Sequence, residues 1–160
     1  MDVRPATPDD AEAIARVGTE TWHDTYDDVM GRGTVTDLTD EWYDPEAVRD
    51  YFDDDGFAAY VAEADGVVGY AYSRAGEDGL WHLPAVYVLP ERQGEGIGAA
   101  LADRVEADAR AAGADRVRLV VLEANEAARA FYEARGYRAT GEREESVVEG
   151  TTEAVYELEV

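Results

Sequence analysis

Val86-Tyr87-Val88-Leu89-Pro90-Glu91-Arg92-Gln93-Gly94-Glu95-Gly96-Ile97-Gly98-Ala99 is an apolar run that breaks at a proline and continues as a glycine loop opening a helix. Glycines let the backbone approach a ligand closely, and the first N–H groups of a helix have no intrahelical partner. The pattern therefore describes an anion cradle, typically for phosphate. Gly94-Glu95-Gly96-Ile97-Gly98-Ala99 also fits the dinucleotide fingerprint G-x-G-x-x-A, with Glu123 closing a later strand in the place of the ribose acid. In that fingerprint the strand runs straight into its first glycine. Here residues 89–93 intervene and include the strand-breaking Pro90, a spacing that disfavours a Rossmann unit. A plain glycine turn is the other reading that the loop alone allows.

A second segment, Asn125-Glu126-Ala127-Ala128-Arg129-Ala130-Phe131-Tyr132-Glu133-Ala134-Arg135-Gly136-Tyr137, follows an apolar strand at residues 116–122. Together the two segments resemble the GNAT family of acyl-CoA N-acyltransferases. Residues 93–98 match that family's Q/R-x-x-G-x-G/A pyrophosphate loop, and residues 125–137 match its N-x-x-A-x-x-F-Y-x-x-x-G-F/Y segment. The resemblance spans residues 3–160 as a pattern of strands and helices, with its specific residues between His82 and Tyr137.

Composition narrows the class independently. A chain of 160 residues is expected to form one domain, residues 1–160, with a core that needs neither metal nor disulfide. With no cysteine and two histidines, His23 and His82, a thiolate or histidine-rich metal site is disfavoured and a cysteine nucleophile is excluded. No stretch has membrane-spanning length and the first residues do not read as a leader, so the expectation is a soluble, cytoplasmic protein. The net charge of −23 comes from 37 acidic and 14 basic residues, every one of the latter arginine. Self-repulsion of that size is tolerable where salt shortens the screening length to about 3 Å, so the charge reads as adaptation to a high-salt cytoplasm. The rival is an acidic surface for a basic partner, which the spread of the acids along the chain disfavours. Hydrophobic residues at 46% with clear periodicity argue against disorder, and the lack of a basic face argues against nucleic acid.

Periodicity gives a mixed α/β order. A short strand at Val3-Arg4 precedes a helix capped by Thr7-Pro8-Asp9-Asp10 and running to about Trp22, then a looser polar stretch over residues 25–44 and a short helix from Asp44-Pro45. Residues 57–63 and 67–73 read as a hairpin turning at Ala64-Asp65-Gly66, and residues 81–88 as the next strand. A helix carries the stripe Ile97, Leu101, Val105 and Ala109 to Gly113; a strand at 116–122, a helix at 125–135 and a terminal antiparallel pair complete the chain. The fold class is α/β (α+β), which the resemblance sharpens to a mostly antiparallel central sheet flanked by helices, with a splayed strand pair that binds acyl-CoA.

The resemblance implies an acetyl-CoA-dependent N-acetyltransferase that uses a ternary complex, needs no metal, and acts on a small-molecule or peptide primary amine. Membrane and nucleic acid are not expected partners, and a homodimer stays open. The N–H groups of Gly94, Glu95, Gly96, Ile97, Gly98 and Ala99, led by Gln93, would hold the pyrophosphate. The backbone of Val86, Tyr87 and Val88 would pair with the pantetheine arm, provided this strand splays from residues 116–122 at a bulge near Pro84. Tyr132 is the family-matched general acid for the departing thiolate, turned towards the cleft because Phe131 takes the apolar side. Asn125 serves as helix N-cap and reaches the cofactor. Arg129 or Arg135 would meet the 3′-phosphate or remain solvated helix charges. For the base, His82 stands eleven residues before Gln93, near the register where histone-acetylating members carry a strand glutamate. Its ordinary pKa near 6.5 suits the role, although a structural histidine fits the position too, with Glu63 and Glu123 as weaker alternatives. Trp22, Tyr26, Trp42 and Tyr43 form either core or an amine-binding wall. A non-catalytic acyl-CoA-binding module is the rival function; it would keep the loop without requiring Tyr132.

Overall fold

A computed structural model of the chain describes residues 1–145 and 151–160. Among these residues seven strands form one sheet, numbered in chain order and arranged β1-β2-β3-β4-β5-β7-β6. They are β1 (Asp2–Pro5), β2 (Phe57–Glu63), β3 (Val67–Ala75), β4 (Leu80–Val88), β5 (Arg116–Leu122), β6 (Arg138–Glu145) and β7 (Thr152–Glu159). Five helices accompany them: α1 (Ala11–Met30), α2 (Arg32–Trp42), α3 (Pro45–Tyr51), α4 (Ile97–Ala111) and α5 (Glu126–Ala134). All strand pairs are antiparallel except β4 with β5. Residues 146–150, which the sequence reading assigns to the terminal pair, lie outside the described residues.

The parallel pairing of β4 and β5 is short. It joins Leu80, Trp81 and His82 to Arg116, Val117 and Arg118 and then stops, while β4 stays paired to β3 up to Val88. Among the described residues, one edge of residues 83–88 is thereby left without a strand partner. The expected bulge is present: between Tyr72 and Arg74 of β3, the opposing strand advances from Ala85 to His82, giving β4 one extra residue beside Pro84. Proline lacks the N–H that would continue the ladder, so the two strands separate where it stands.

Gly69 lets α4 sit on its face of the sheet, since a Cβ there would lie 3.2 and 3.3 Å from Leu101 and Ile97. On the other face, Tyr70 lies against the end of α2, its hydroxyl donating to that of Tyr43 at 2.6 Å. Alternation along β3 puts these successive side chains on opposite faces. The core runs through both layers, from Ile14 and Val17 of α1 through Val61, Tyr70 and Leu83 of the sheet to Leu101 and Val105 of α4.

The loose stretch expected over residues 25–44 is corrected to helix. α1 continues to Met30, where Gly31 at φ +88° stops it, and α2 follows directly. Acidic residues such as Asp24, Asp27 and Asp28 dilute the helical pattern. Tyr26, Val35 and Thr39 are nevertheless buried, and Tyr26 and Val35 join Trp22 and Leu122 in a second apolar cluster. Tertiary burial overrides the weak local propensity of aspartate.

Candidate active site

Beyond β4 the chain makes one tight turn at Pro90–Arg92, and the glycine loop then enters α4. Gly94 and Gly96 have φ of +83° and +81°, a left-handed geometry that glycine adopts without strain. Gly96 caps α4 with no side-chain hydrogen bond, and the first turn of the helix carries no acid although 37 residues of the chain are acidic. The N–H groups of Ile97, Gly98 and Ala99 thus open the helix with its positive dipole end uncompensated. Gly98 has ordinary backbone geometry, and a Cβ there would touch Phe131 at 3.5 Å.

This loop forms one wall of a cavity of about 640 Å³, lined also by Val86, Tyr87 and Val88 on the open edge of β4, by Thr21, Asp24 and Thr25 of α1, and by Phe131 and Tyr132 of α5. Gln93 lines it while its side-chain amide donates to Val88 O at 3.1 Å, tying the loop to the strand end. Glu95 is not in the lining; its carboxylate accepts from Arg92 Nε at 3.0 Å. Arg92 itself faces the cavity and is the cation that the sequence reading missed, although it stands next to Gln93.

A second cavity of about 380 Å³ lies across the splay, walled by Trp22, Tyr26, Trp42, Tyr43, Tyr51 and Tyr72 and continued by residues 83–87 of β4 and 120–122 of β5. The aromatic group proposed from sequence does line it, with Trp22 packed on Tyr26 and Trp42 at ring separations of 4.4 and 5.2 Å. Two polar atoms in this wall, Trp22 Nε1 and Tyr72 OH, are buried without a hydrogen-bond partner of good geometry among the described residues. Burial pushes the hydroxyls of Tyr43, Tyr72 and Tyr87 well above the ordinary tyrosine range, so the wall stays uncharged. Glu153, on β7 opposite Leu122, contributes a carboxylate that no local pattern in the sequence singles out.

The two cavities share Val86, Tyr87, Asn125, Ala128 and Tyr132. Asn125 caps α5 as expected, its Oδ1 accepting from Ala128 N at 3.1 Å, while its Nδ2 donates to Tyr26 OH at 3.0 Å. Tyr132 is buried at the junction, its ring 5.1 Å from Phe131 and 5.5 Å from Tyr137. Desolvation raises its hydroxyl far above the ordinary value, with a lesser push from Tyr26, so it carries its proton throughout the neutral range. Phe131 packs partly buried against the core, as expected of the apolar side of the helix, and it also faces Gly98 and lines the larger cavity.

His82 is not brought to this junction. It lies in the short segment where β4 and β5 still pair, outside the lining of both cavities, and its Nε2 would stand 2.8 Å from a Cβ at Gly76. Burial lowers its pKa, and the charges of Arg118 and Arg74 lower it further. Glu63 ends β2, one strand in from the far edge of the sheet, and is paired with Arg4 at 3.3 Å. Glu123 also lies outside both linings. Arg129 donates to Tyr156 OH at 3.2 Å and to Glu123 O at 3.1 Å, and Arg135 is held by Glu106 and Asp103 at 2.8 and 2.7 Å. Both therefore fasten α5 to its surroundings.

The acetyltransferase (GNAT) family model matches residues 20–137. An uncharacterized N-acetyltransferase of Mycobacterium tuberculosis is 32% identical over 135 residues, 84% of this chain and 86% of that protein. Among solved structures, the PaiA N-acetyltransferase of Thermoplasma acidophilum in complex with coenzyme A superposes with a TM-score of 0.86 at 20% identity, covering 99% of this chain and 98% of that one. A GCN5-related N-acetyltransferase from Rhodopseudomonas palustris gives 0.83 at 23% identity, covering 99% and 95%. The splayed sheet, the glycine loop entering α4 and the sequence match agree, and the chain belongs to the acetyltransferase (GNAT) family as an N-acetyltransferase.

Proposed function

We propose that the chain transfers the acetyl group of acetyl-CoA to a primary amine by direct attack within a ternary complex. The observation that carries this reading is the common wall of the two cavities: a carrier bound along β4 and the glycine loop would meet an acceptor from the aromatic side at Tyr132 and Asn125. The coenzyme A complex of the Thermoplasma acidophilum structure, which has the same fold, supports acetyl-CoA as the carrier.

Each part of the chain then has a task. The α4 N-terminus, Gly94, Gly96 and Arg92 hold the pyrophosphate, and the open edge of residues 86–88 hydrogen-bonds the pantetheine amides, fixing the thioester at the junction. The amine enters through the aromatic cavity and gives one proton to water to become nucleophilic. Its nitrogen lone pair forms the C–N bond and the C–S bond breaks. Tyr132 donates its hydroxyl proton to the leaving thiolate, and the proton released by the new amide restores the phenol through water. Burial keeps the phenol protonated at neutral pH, so the donor is present; its transfer to a thiolate whose conjugate acid lies near 8.5 is uphill by itself and is drawn forward as the phenolate recovers the proton of the new amide.

The test combines two measurements in molar KCl: thiol release from acetyl-CoA with a panel of primary amines, and the mass of the protein after acetyl-CoA alone. Amine-dependent release with an unmodified protein is expected. Release without amine, or an acetylated protein that passes its acetyl group to amine, would overturn direct transfer.

A further inference from the structure

α5 has nine residues, too few to hold a helix in water without packing, and its buried residue is Tyr132. Its C-terminal end is gripped by a carboxylate of α4. Glu106, 5% exposed, accepts from Arg135 Nη2 at 2.8 Å, from Arg135 Nε at 3.3 Å and from the Tyr137 hydroxyl at 3.0 Å. Arg135 Nη2 also donates to Asp103, one turn earlier on α4, at 2.7 Å. Arg135 caps α5 with its guanidinium 5.9 Å from the centre of the Phe131 ring, and the Tyr137 ring packs edge-on against Tyr132 at 5.5 Å. Glu106 thus holds the two residues that flank Gly136, and through them the helix end that carries Tyr132. Burial dominates the raised pKa of the Tyr132 hydroxyl, but Arg135, which lowers it, and Glu106, which raises it, are both near enough to act there. A carboxylate is kept in such a buried place only where charged and hydrogen-bonding partners offset its lost hydration, and these partners come from the end of α5 and the residues just after it.

We propose that Glu106 is a positioning residue for acetyl transfer, holding α5 against α4 so that the Tyr132 hydroxyl stays within reach of the thioester sulfur. The inference rests on the reading of Tyr132 as proton donor. α4 opens at the glycine loop with the N–H groups assigned to the pyrophosphate, and Glu106 lies nine residues beyond Ile97, about 13 Å along the same helix. One rigid rod therefore bears the anchor of the carrier at its start and the grip on the donor's helix farther on. Proton transfer requires hydrogen-bond reach, so a displacement of about 1 Å is enough to weaken it. The N-terminal half of α5 is fastened elsewhere, Asn125 to Tyr26 of α1 at 3.0 Å and Arg129 to Tyr156 of β7 at 3.2 Å. Phe131 of α5 does lie over Gly98 of α4, but an apolar contact is non-directional and lets the helix slide, whereas the charged fork on Glu106 fixes its place.

The test is a double-mutant cycle on the full chain in molar KCl, with acetyl-CoA and whichever primary amine of the panel turns over fastest. Glu106→Gln keeps the shape of the side chain but offers a single acceptor oxygen and turns an amide NH2 towards the Arg135 and Tyr137 donors. Its kcat should fall about tenfold, no more than the donor itself contributes, while the acetyl-CoA dissociation constant stays within about twofold of the parent. In a Tyr132→Phe background the same substitution should cost less than about twofold, because no proton donor is left to misplace. An equal fall in both backgrounds would make the network structural only and overturn the assignment, as would an unchanged kcat in the single variant or a loss that appears in acetyl-CoA binding instead. Arg135→Lys keeps the charge but loses the fork, so it should repeat the pattern at about two- to fivefold and replaces Glu106→Gln if that variant does not fold. A second readout needs no turnover. With meta-fluorotyrosine incorporated, the fluorine resonance lost in Tyr132→Phe identifies Tyr132, and in Glu106→Gln bound to coenzyme A that line should shift or split. An unmoved line overturns the inference. A line that moves, together with full kcat for Tyr132→Phe, sinks the donor reading instead and leaves the grip of Glu106 on the Tyr132 ring standing.

Discussion

Gly18→Ala sets helix propensity against packing. Gly18 lies inside α1, where alanine would ordinarily stabilise by about 1 kcal/mol. A Cβ at this position would lie 2.5 Å from Cδ1 and Cζ of Tyr43, and closer still to Cε1. The ring has little room to retreat, because its hydroxyl accepts from Tyr70 at 2.6 Å and it packs on Tyr70 at 6.3 Å between centroids. Overpacking of this kind costs about 1–3 kcal/mol, and loss of the tyrosine pair about 1 kcal/mol more. The net expectation is a destabilisation of about 1–3 kcal/mol, or a fall in Tm on the order of 5 °C for a domain of this size. Because Tyr43 lines the aromatic cavity and not the carrier cavity, the amine KM should rise while acetyl-CoA affinity holds. Thermal denaturation in molar KCl and initial-rate kinetics read both effects. A Tm equal to or above that of the parent chain would refute the packing argument, since propensity alone would then account for the result.

The net charge of −23 predicts that Tm rises steeply between dilute and molar KCl; a flat or falling profile would contradict the high-salt reading. Gly96→Val forces a β-branched residue to φ +81°, which no neighbouring atom blocks but the backbone resists, so coenzyme A affinity should drop about tenfold or more as the loop distorts. Unchanged calorimetric affinity in the folded variant would mean that the phosphates bind elsewhere. His82 has its folded pKa below 6.5, so the unfolded chain binds more protons in the window beneath that value and stability falls as pH drops through it. His82→Asn should therefore flatten the dependence of Tm on pH below 6.5 with little effect on kcat, and a large loss of kcat would return His82 to the catalytic step.

The glycine loop was legible because glycine, proline and a helix start each leave a local mark, and Pro84 announced the parting of β4 from β5 for the same reason. Asn125 was legible as a cap, and Tyr132 through its place in a matched segment. Residues 25–44 were not: their helices are held by a few buried side chains, Tyr26, Val35 and Thr39, set among aspartates that favour other conformations. His82 carried the right chemistry for a base, but the point at which two strands separate is a tertiary fact, and His82 falls on the paired side of it. Glu153 escaped notice for the converse reason. One glutamate among 37 acids has no distinguishing neighbourhood until β7 lies beside β5. The partners of Arg129 on β7 and of Arg135 on α4 likewise have no local mark in the sequence.

The central claim is that Tyr132 delivers the proton to the thiolate, and Tyr132→Phe tests it most directly because the ring and its packing remain while the donor is lost. The decisive measurement is kcat with a working amine set beside the dissociation constant for acetyl-CoA on the same variant. A coenzyme A thiolate is a fairly good leaving group, so kcat should fall by roughly 10- to 100-fold, the low side of general acid catalysis, with acetyl-CoA affinity within about twofold of the parent. Full activity, or a loss of binding equal to the loss of rate, would contradict the account.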